Sequence, residues 1–275
     1  MKPNRSETRN LVYYFLFAYG FTWLFWLLEA QAMQGKLGTS IIADFLLGSG
    51  NPAAWGPTVA AFSLTFLNEG TEGVKKLLNK ATETGFAKIW WLPTFLLLPT
   101  LTGLSLLLAI IFEGKAPIIS WLSNPLLLLI GWDSFISILL FRGPLQEEVG
   151  WRGYALPRLQ TRFSALISSV ILGVLWFAWH IPYYTLVGEE AIFQSQFIGL
   201  AFSHILLTIF FTWLYNNTGG SLLVSLIFHT TISFSWVLFP FVETELGSMF
   251  YFFSLLIVTI AILVIWKPKN LDRSK

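Results

Sequence analysis

Apolar residues occupy the chain in long runs separated by short polar segments, with neither the spacing of an amphipathic soluble helix nor the alternation of a half-buried strand. Runs long enough to cross about 30 Å of hydrocarbon, roughly 20 residues each, recur from Leu11 almost to Trp266. They predict spans near residues 11–33, 41–67, 89–112, 118–141, 163–187, 197–215, 220–239 and 247–266, and so an all-α, polytopic membrane protein of about eight transmembrane helices. The run at 41–67 is the least regular. It contains Gly48, Gly50, Pro52, Gly56 and Pro57, which a membrane helix tolerates only where neighbours or water satisfy the freed backbone groups. No room remains for a separate soluble domain, and residues 1–275 read as a single transmembrane domain. The first run follows Lys2, Arg5 and Arg9 and continues past Trp26 without a small-residue cleavage site, so it reads as a retained helix rather than a signal peptide.

Composition strengthens this picture. The chain is 55% hydrophobic and 12% charged with a mean hydropathy of +0.66, whereas a soluble domain carries about 25% charged residues. Zero cysteines exclude disulfides, thiolate metal sites and cysteine nucleophiles. Charge placement adds an orientation, because Lys and Arg are retained on the cytoplasmic side. With the N-terminus inside, only Lys36 and Lys115 of the 17 cationic residues fall outside, while the outer loops carry Glu189, Glu190, Glu243 and Glu245. A multi-pass protein of the cell membrane with both termini cytoplasmic is the predicted topology. Val74 to Leu78, with Lys75, Lys76 and Lys80, reads as a basic amphipathic connector helix at the inner surface before Trp90 and Trp91 enter the bilayer. The 26 Phe and 13 Trp are mostly lipid-facing or interfacial packing. There is no internal repeat of the kind many transporters show.

Charges at membrane depth cost roughly 2.5–3.5 kcal/mol each on insertion scales, so the few polar residues within the apolar runs need a reason. Glu29 and Asp44 fall near outer ends, where that cost is small. Asp133 is mid-span and reads as a protonated or hydrogen-bonded packing residue. The densest constellation is Gln146-Glu147-Glu148-Val149-Gly150-Trp151-Arg152, followed by Gly153-Tyr154 and Leu156-Pro157-Arg158. On a helix Glu148 and Arg152 are four apart and can pair, whereas Glu147 is rotated about 100° and faces something else. An ordinary cytoplasmic salt-bridged cluster accounts equally well for this segment alone.

Histidine shifts the balance. The chain has 3, and His180, His204 and His229 all fall within predicted spans. Ser233 lies one turn beyond His229 on the same face. A carboxylate and an imidazole converging on one water form a general base, and a second imidazole and a hydroxyl can donate to a developing oxyanion. That combination fits amide hydrolysis. His204 lacks such company in sequence and reads as packing. There is no His-Glu-x-x-His zinc-protease motif and no Gly-x-Ser-x-Gly nucleophile elbow. Two His and a Glu could ligate zinc with an open position for water, but their wide separation does not favour it, and no cofactor is expected.

These motifs resemble the CAAX-processing and bacteriocin-processing intramembrane endopeptidases, the family of the type II CAAX prenyl endopeptidase. Glu147, Glu148 and Arg152 meet its Glu-Glu-x-x-x-Arg motif in full. Trp176 and His180 stand for Phe-x-x-x-His, one aromatic replacing another. His229 and Ser233 stand for a His followed four residues on by Asn or Asp, after a Thr218-Gly219-Gly220-Ser221 run that also looks familial. The resemblance places a catalytic core at 120–235 and extends less specifically to Trp55-Gly56-Pro57 and to Lys75 through Trp91.

By position, the resemblance implies Glu147 and His180 as the water-activating pair, His229 as an oxyanion donor with Ser233 beside it, and Glu148 and Arg152, with Trp176, in support. It favours a glutamic mechanism without metal. The shorter hydroxyl of Ser233 implies a weaker or water-mediated donor than Asn. The implied partners are the lipid bilayer and a membrane-associated protein or peptide substrate, a prenylated CAAX-type sequence among the candidates; no nucleic acid is expected. A catalytically silent immunity or scaffold protein is the alternative, with Ser233 as its clue, and a transporter comes third. One geometric conflict stands out. His180 lies about 27 Å along its helix from Arg162, while Glu147 sits at the inner edge. Their meeting requires either that the fourth helix continue past Phe141 with a kink at Pro144, the preferred solution, or that the fifth begin deeper.

Overall fold

The computed structural model describes residues 5–48, 51–124, 127–187 and 190–272, without the side chains of 5, 6, 123, 127–133 and 190–195. The side chain of Asp133 therefore lies outside the described residues. Every regular element among the described residues is helical: α1 (Arg5–Met33), α2 (Ile41–Leu47), α3 (Gly56–Asn79), α4 (Trp91–Glu113), α5 (Ser120–Ser123), α6 (Leu127–Phe141), α7 (Pro144–Gly150), α8 (Leu156–Gln160), α9 (Ala165–Pro182), α10 (Glu190–Asn217), α11 (Leu222–Leu238) and α12 (Gly247–Trp266), with short 3₁₀ and π turns between them. Five segments among the described residues are long and apolar enough to cross a membrane: Glu7–Met33, Lys88–Glu113, Ala165–Val187, Gln196–Asn217 and Gly247–Trp266. Leu222–Leu238 is apolar but shorter. The protein is an all-α, polytopic membrane protein.

The two remaining expected spans, 41–67 and 118–141, are not single helices. The first divides into α2, a 3₁₀ turn at Ala53–Trp55 and α3, where Pro52 and Pro57 each lack a backbone donor. The second divides into α5 and α6 after Asn124, whose extended backbone (φ −140°, ψ 91°) is what a residue before a proline adopts. The basic segment from Val74 to Leu78 is helical, as expected: α3 is two helices joined at Gly70, where a φ of 65° breaks the helix, and Lys80 begins the 3₁₀ turn that follows Asn79.

The chain forms two compact units. The first comprises Met1–Asn79 and Gln146–Thr208, and the second Lys80–Leu145 and Ile209–Lys275. In the first, α1 packs along α3. Gly56 makes this possible, because a Cβ there would collide with the Ala18 carbonyl and the Thr22 hydroxyl. In the second, α4 packs against α11 and α12. Trp121 donates its indole N–H to the Leu238 carbonyl at 2.7 Å, and Glu113 accepts the Leu246 backbone N–H at 2.7 Å.

Helix α6 stops at Phe141 rather than continuing with a kink. Gly143, at φ 116°, turns the chain through a conformation that favours glycine. Pro144 then begins α7 as its first residue, where a missing N–H has no consequence. The glutamate pair thus rides on a separate short helix.

Candidate active site

The segment Gln146–Arg152 is buried, and Glu148 and Arg152 are wholly so, at 0% exposure. The pairing expected from their four-residue spacing is present: the Arg152 Nη1 donates to Glu148 Oε1 at 2.8 Å. The helix then widens at Trp151–Ala155, where the Leu156 N–H bonds to the Trp151 carbonyl five residues back. Such π turns are uncommon and are frequent at functional sites. Gly150 seats the segment on its neighbours, since a Cβ there would lie 2.5 Å from the Pro57 carbonyl and from the Tyr14 hydroxyl oxygen. Tyr14 is fully buried and stacks on Tyr154 with centroids 4.9 Å apart.

Glu147 points the other way, as its 100° rotation from Glu148 requires. Its Oε2 accepts the Trp176 indole N–H at 2.6 Å and the Trp151 indole N–H at 3.3 Å. The Arg152 guanidinium stands 4.8 Å from the Trp176 ring centroid, a cation–π distance. Trp176 therefore links both acids: it bonds one directly and packs on the partner of the other. Sequence reasoning gave Trp176 a supporting place as an aromatic substitute but did not anticipate its N–H, which a Phe cannot supply.

His180 lies one turn beyond Trp176 and is half-buried. Its Nδ1 is 3.0 Å from the Trp176 carbonyl. A carbonyl can only accept, so Nδ1 carries the hydrogen, and in the neutral ring Nε2 holds the lone pair. The end of α9 is braced from α1. The Tyr183 N–H turns to the His180 carbonyl, and the Trp179 carbonyl, the usual acceptor for that N–H, receives the Trp23 indole N–H at 3.0 Å. Tyr19 donates its hydroxyl to the Leu175 carbonyl.

His204, read from sequence as packing, joins this cluster. Its ring centroid is 5.2 Å from His180, 4.7 Å from Trp176 and 5.5 Å from Phe177. The close approach depends on Gly173, where a Cβ would lie 2.7 Å from the Ile205 Cα and 3.1 Å from the His204 carbonyl. A glycine within an apolar run one turn before Phe177, with a histidine in the following run, was the available signal.

The first unit thus brings together Glu147, Glu148, Arg152, Trp176, His180 and His204. His229 and Ser233 lie on α11 of the second unit, and their surroundings there are their own. Gly219 (φ 66°) and Gly220 (φ 84°) make the turn before α11. Ser221 caps the helix by accepting the Val224 N–H at 3.4 Å and ties the turn down by donating to the Glu83 carbonyl at 2.8 Å. His229 is buried, with its ring 5.8 Å from Phe211, and Ser233 is partly exposed. Among the described residues, no group of three or more His, Asp or Glu side chains is arranged to hold a metal ion.

Comparison with known proteins gives two matches. The family described as "Type II CAAX prenyl endopeptidase Rce1-like" matches residues 128–235, which include every site residue named from the sequence. The "CAAX prenyl protease 2" of Methanococcus maripaludis is 28% identical over 240 residues, covering 83% of this chain and 84% of that protein.

Proposed function

We propose, from the match of residues 128–235 to the type II CAAX prenyl endopeptidase Rce1-like family, that this polytopic membrane protein is an intramembrane endopeptidase of the glutamic type. Glu147 and His180 activate a water, and the activated water cleaves a peptide bond of a membrane-associated substrate. The observation that supports this most is the convergence of two indole N–H groups on one oxygen of a buried carboxylate. Indoles only donate, so they suit an ionised carboxylate. With Oε2 held by both, the carboxylate is fixed in orientation.

In this reading the Glu147 carboxylate takes a proton from water as the water oxygen bonds to the scissile carbonyl carbon. His180 accepts a hydrogen bond from the same water at Nε2. By the motif resemblance, His229 and Ser233 serve as the donors to the oxyanion. Collapse breaks the C–N bond, the proton held by Glu147 passes to the departing nitrogen, and a carboxylic acid and an amine leave. Glu148 and Arg152 hold the helix that presents Glu147. Ser233, shorter than Asn, makes the weakest contribution. By analogy with the relative's name, the substrate is a prenylated CAAX-type protein or peptide, reached from the side on which the charge pattern puts both termini.

The test uses the purified full-length protein in detergent with a quenched farnesylated CAAX-type peptide, its unfarnesylated form and an unrelated membrane peptide. Cleavage of the farnesylated peptide that is lost in Glu147→Gln supports the proposal. Cleavage that survives in Glu147→Ala overturns the mechanism, as does inhibition by a chelator that zinc reverses. Failure to cleave any peptide favours a scaffold or immunity role.

A further inference from the structure

We infer that His204 is a positioning residue of this site, acting on Glu147 through Trp176. The inference rests on the reading of Glu147 as the base, and nothing in the motif pattern assigns His204 a role.

Three observations converge on it. The Trp176 indole is the nearer of the two donors to Glu147, at 2.6 Å against 3.3 Å for Trp151, so its plane governs where the carboxylate points. Two groups contact the Trp176 ring: the Arg152 guanidinium at 4.8 Å and the His204 imidazole at 4.7 Å, the latter with the rings 65° apart. His204 is itself held, because its Nδ1 donates to the Leu200 carbonyl at 2.8 Å and its backbone is brought against α9 by Gly173.

An aromatic contact alone would not need a histidine. The tether to the Leu200 carbonyl distinguishes this residue from a phenylalanine, since it fixes the ring about its own Cα–Cβ axis and so fixes the surface offered to Trp176. Truncating His204 leaves the indole free to tilt, and a hydrogen bond to a carboxylate weakens steeply as its angle degrades. His204 reaches the base through Trp176, so the effect is expected on the chemical step.

The test is a double-mutant cycle read as kcat and KM for the quenched peptide in the full-length protein, with melting temperature recorded for each variant. His204→Ala is expected to lower kcat about 10- to 100-fold with KM nearly unchanged, the scale on which small misplacements of a catalytic group act. In a Trp176→Phe background, which has no N–H to position, the same change is expected to alter kcat by less than about 2-fold. His204→Phe is expected to recover part of the loss, and it carries the test if the alanine variant does not fold. Equal losses in both backgrounds, or full kcat in His204→Ala, overturn the inference. Glu147→Gln is run in parallel: if it remains active the base assignment fails, whereas an additive cycle with Glu147→Gln inactive removes His204 alone.

Discussion

The polar residues of α7 and α9 and those of α11 satisfy themselves in different ways. On α11 the hydroxyls of Thr230, Thr231 and Ser235 each donate to the carbonyl four residues back, at 2.8, 2.9 and 2.5 Å. Such bonds are closed within one helix and specify nothing beyond it. The first unit holds such local bonds too, as from Ser169 to the Ala165 carbonyl at 2.7 Å, but around Glu147 side chains bond to one another, and Trp176 reaches it from 29 residues away in sequence. Polar groups in an apolar chain are thus of two kinds, those that hide their polarity locally and those that are organised around one another. The second kind is where chemistry is to be sought.

The largest way to break this contrast is to remove one partner of the fully buried ion pair. Arg152→Ala leaves Glu148 charged and uncompensated, and is expected to destabilise the protein by about 3–5 kcal/mol, measured as a loss of melting temperature in detergent. A near-wild-type melting temperature would show that the pair is not part of an organised network. Trp176→Phe keeps an aromatic ring, though a smaller one, and removes one donor to the Glu147 carboxylate. Hydrogen bonds of that type are worth about 1.5–3 kcal/mol, so a fall in kcat of roughly 10- to 150-fold with an unchanged fold is expected. An unaltered kcat would mean that the bond to Glu147 has no role in the reaction. Ser233→Asn tests the second region: a gain in kcat below the roughly 10²-fold that an oxyanion donor can supply is expected, and a loss would place Ser233 outside the site.

The smallest effect is expected far from both regions, at the exposed pair Lys115–Glu245, 2.9 Å apart. The hydrogen bond from Lys115 lowers the Glu245 carboxyl below its ordinary value, and the bond to Glu245 raises Lys115. The lowered carboxyl stabilises the fold above the ordinary carboxylate range and loses this as pH falls through its folded value. The raised amine stabilises it below the ordinary lysine range and loses this as pH rises through its own folded value. Their contribution is therefore complete only between about pH 5 and pH 10. Because both side chains are open to solvent, Glu245→Gln should leave the melting temperature within error across that window. A clear fall would show that surface charge, not the buried network, sets stability.

Much of this was legible in the sequence for physical reasons. Hydropathy gave the helical class because bilayer-crossing segments are long and apolar, and the spacing of Glu148 and Arg152 gave their pairing because four residues bring two side chains to one face. The interrupted segments were harder to read. Asn124 lies in an otherwise apolar run, and only the proline following it in sequence marks the break. The α6–α7 boundary depended on the left-handed turn at Gly143, whereas a proline alone suggests a kink. The Trp176 N–H bond to Glu147 and the approach of His204 were the least visible, because the first is a contact of α9 with α7 and the second a packing of α10 on α9 across Gly173, which no local pattern encodes.

The central claim is that Glu147 is the base, and the rate of cleavage by Glu147→Gln measures it most directly. The side chain is isosteric, so the fold should hold, with an unchanged melting temperature. With Glu147 as the base, kcat for the farnesylated peptide is expected to fall by roughly 10²- to 10⁴-fold, the range general-base catalysis supplies. A folded Glu147→Gln variant that cleaves at the wild-type rate would contradict it.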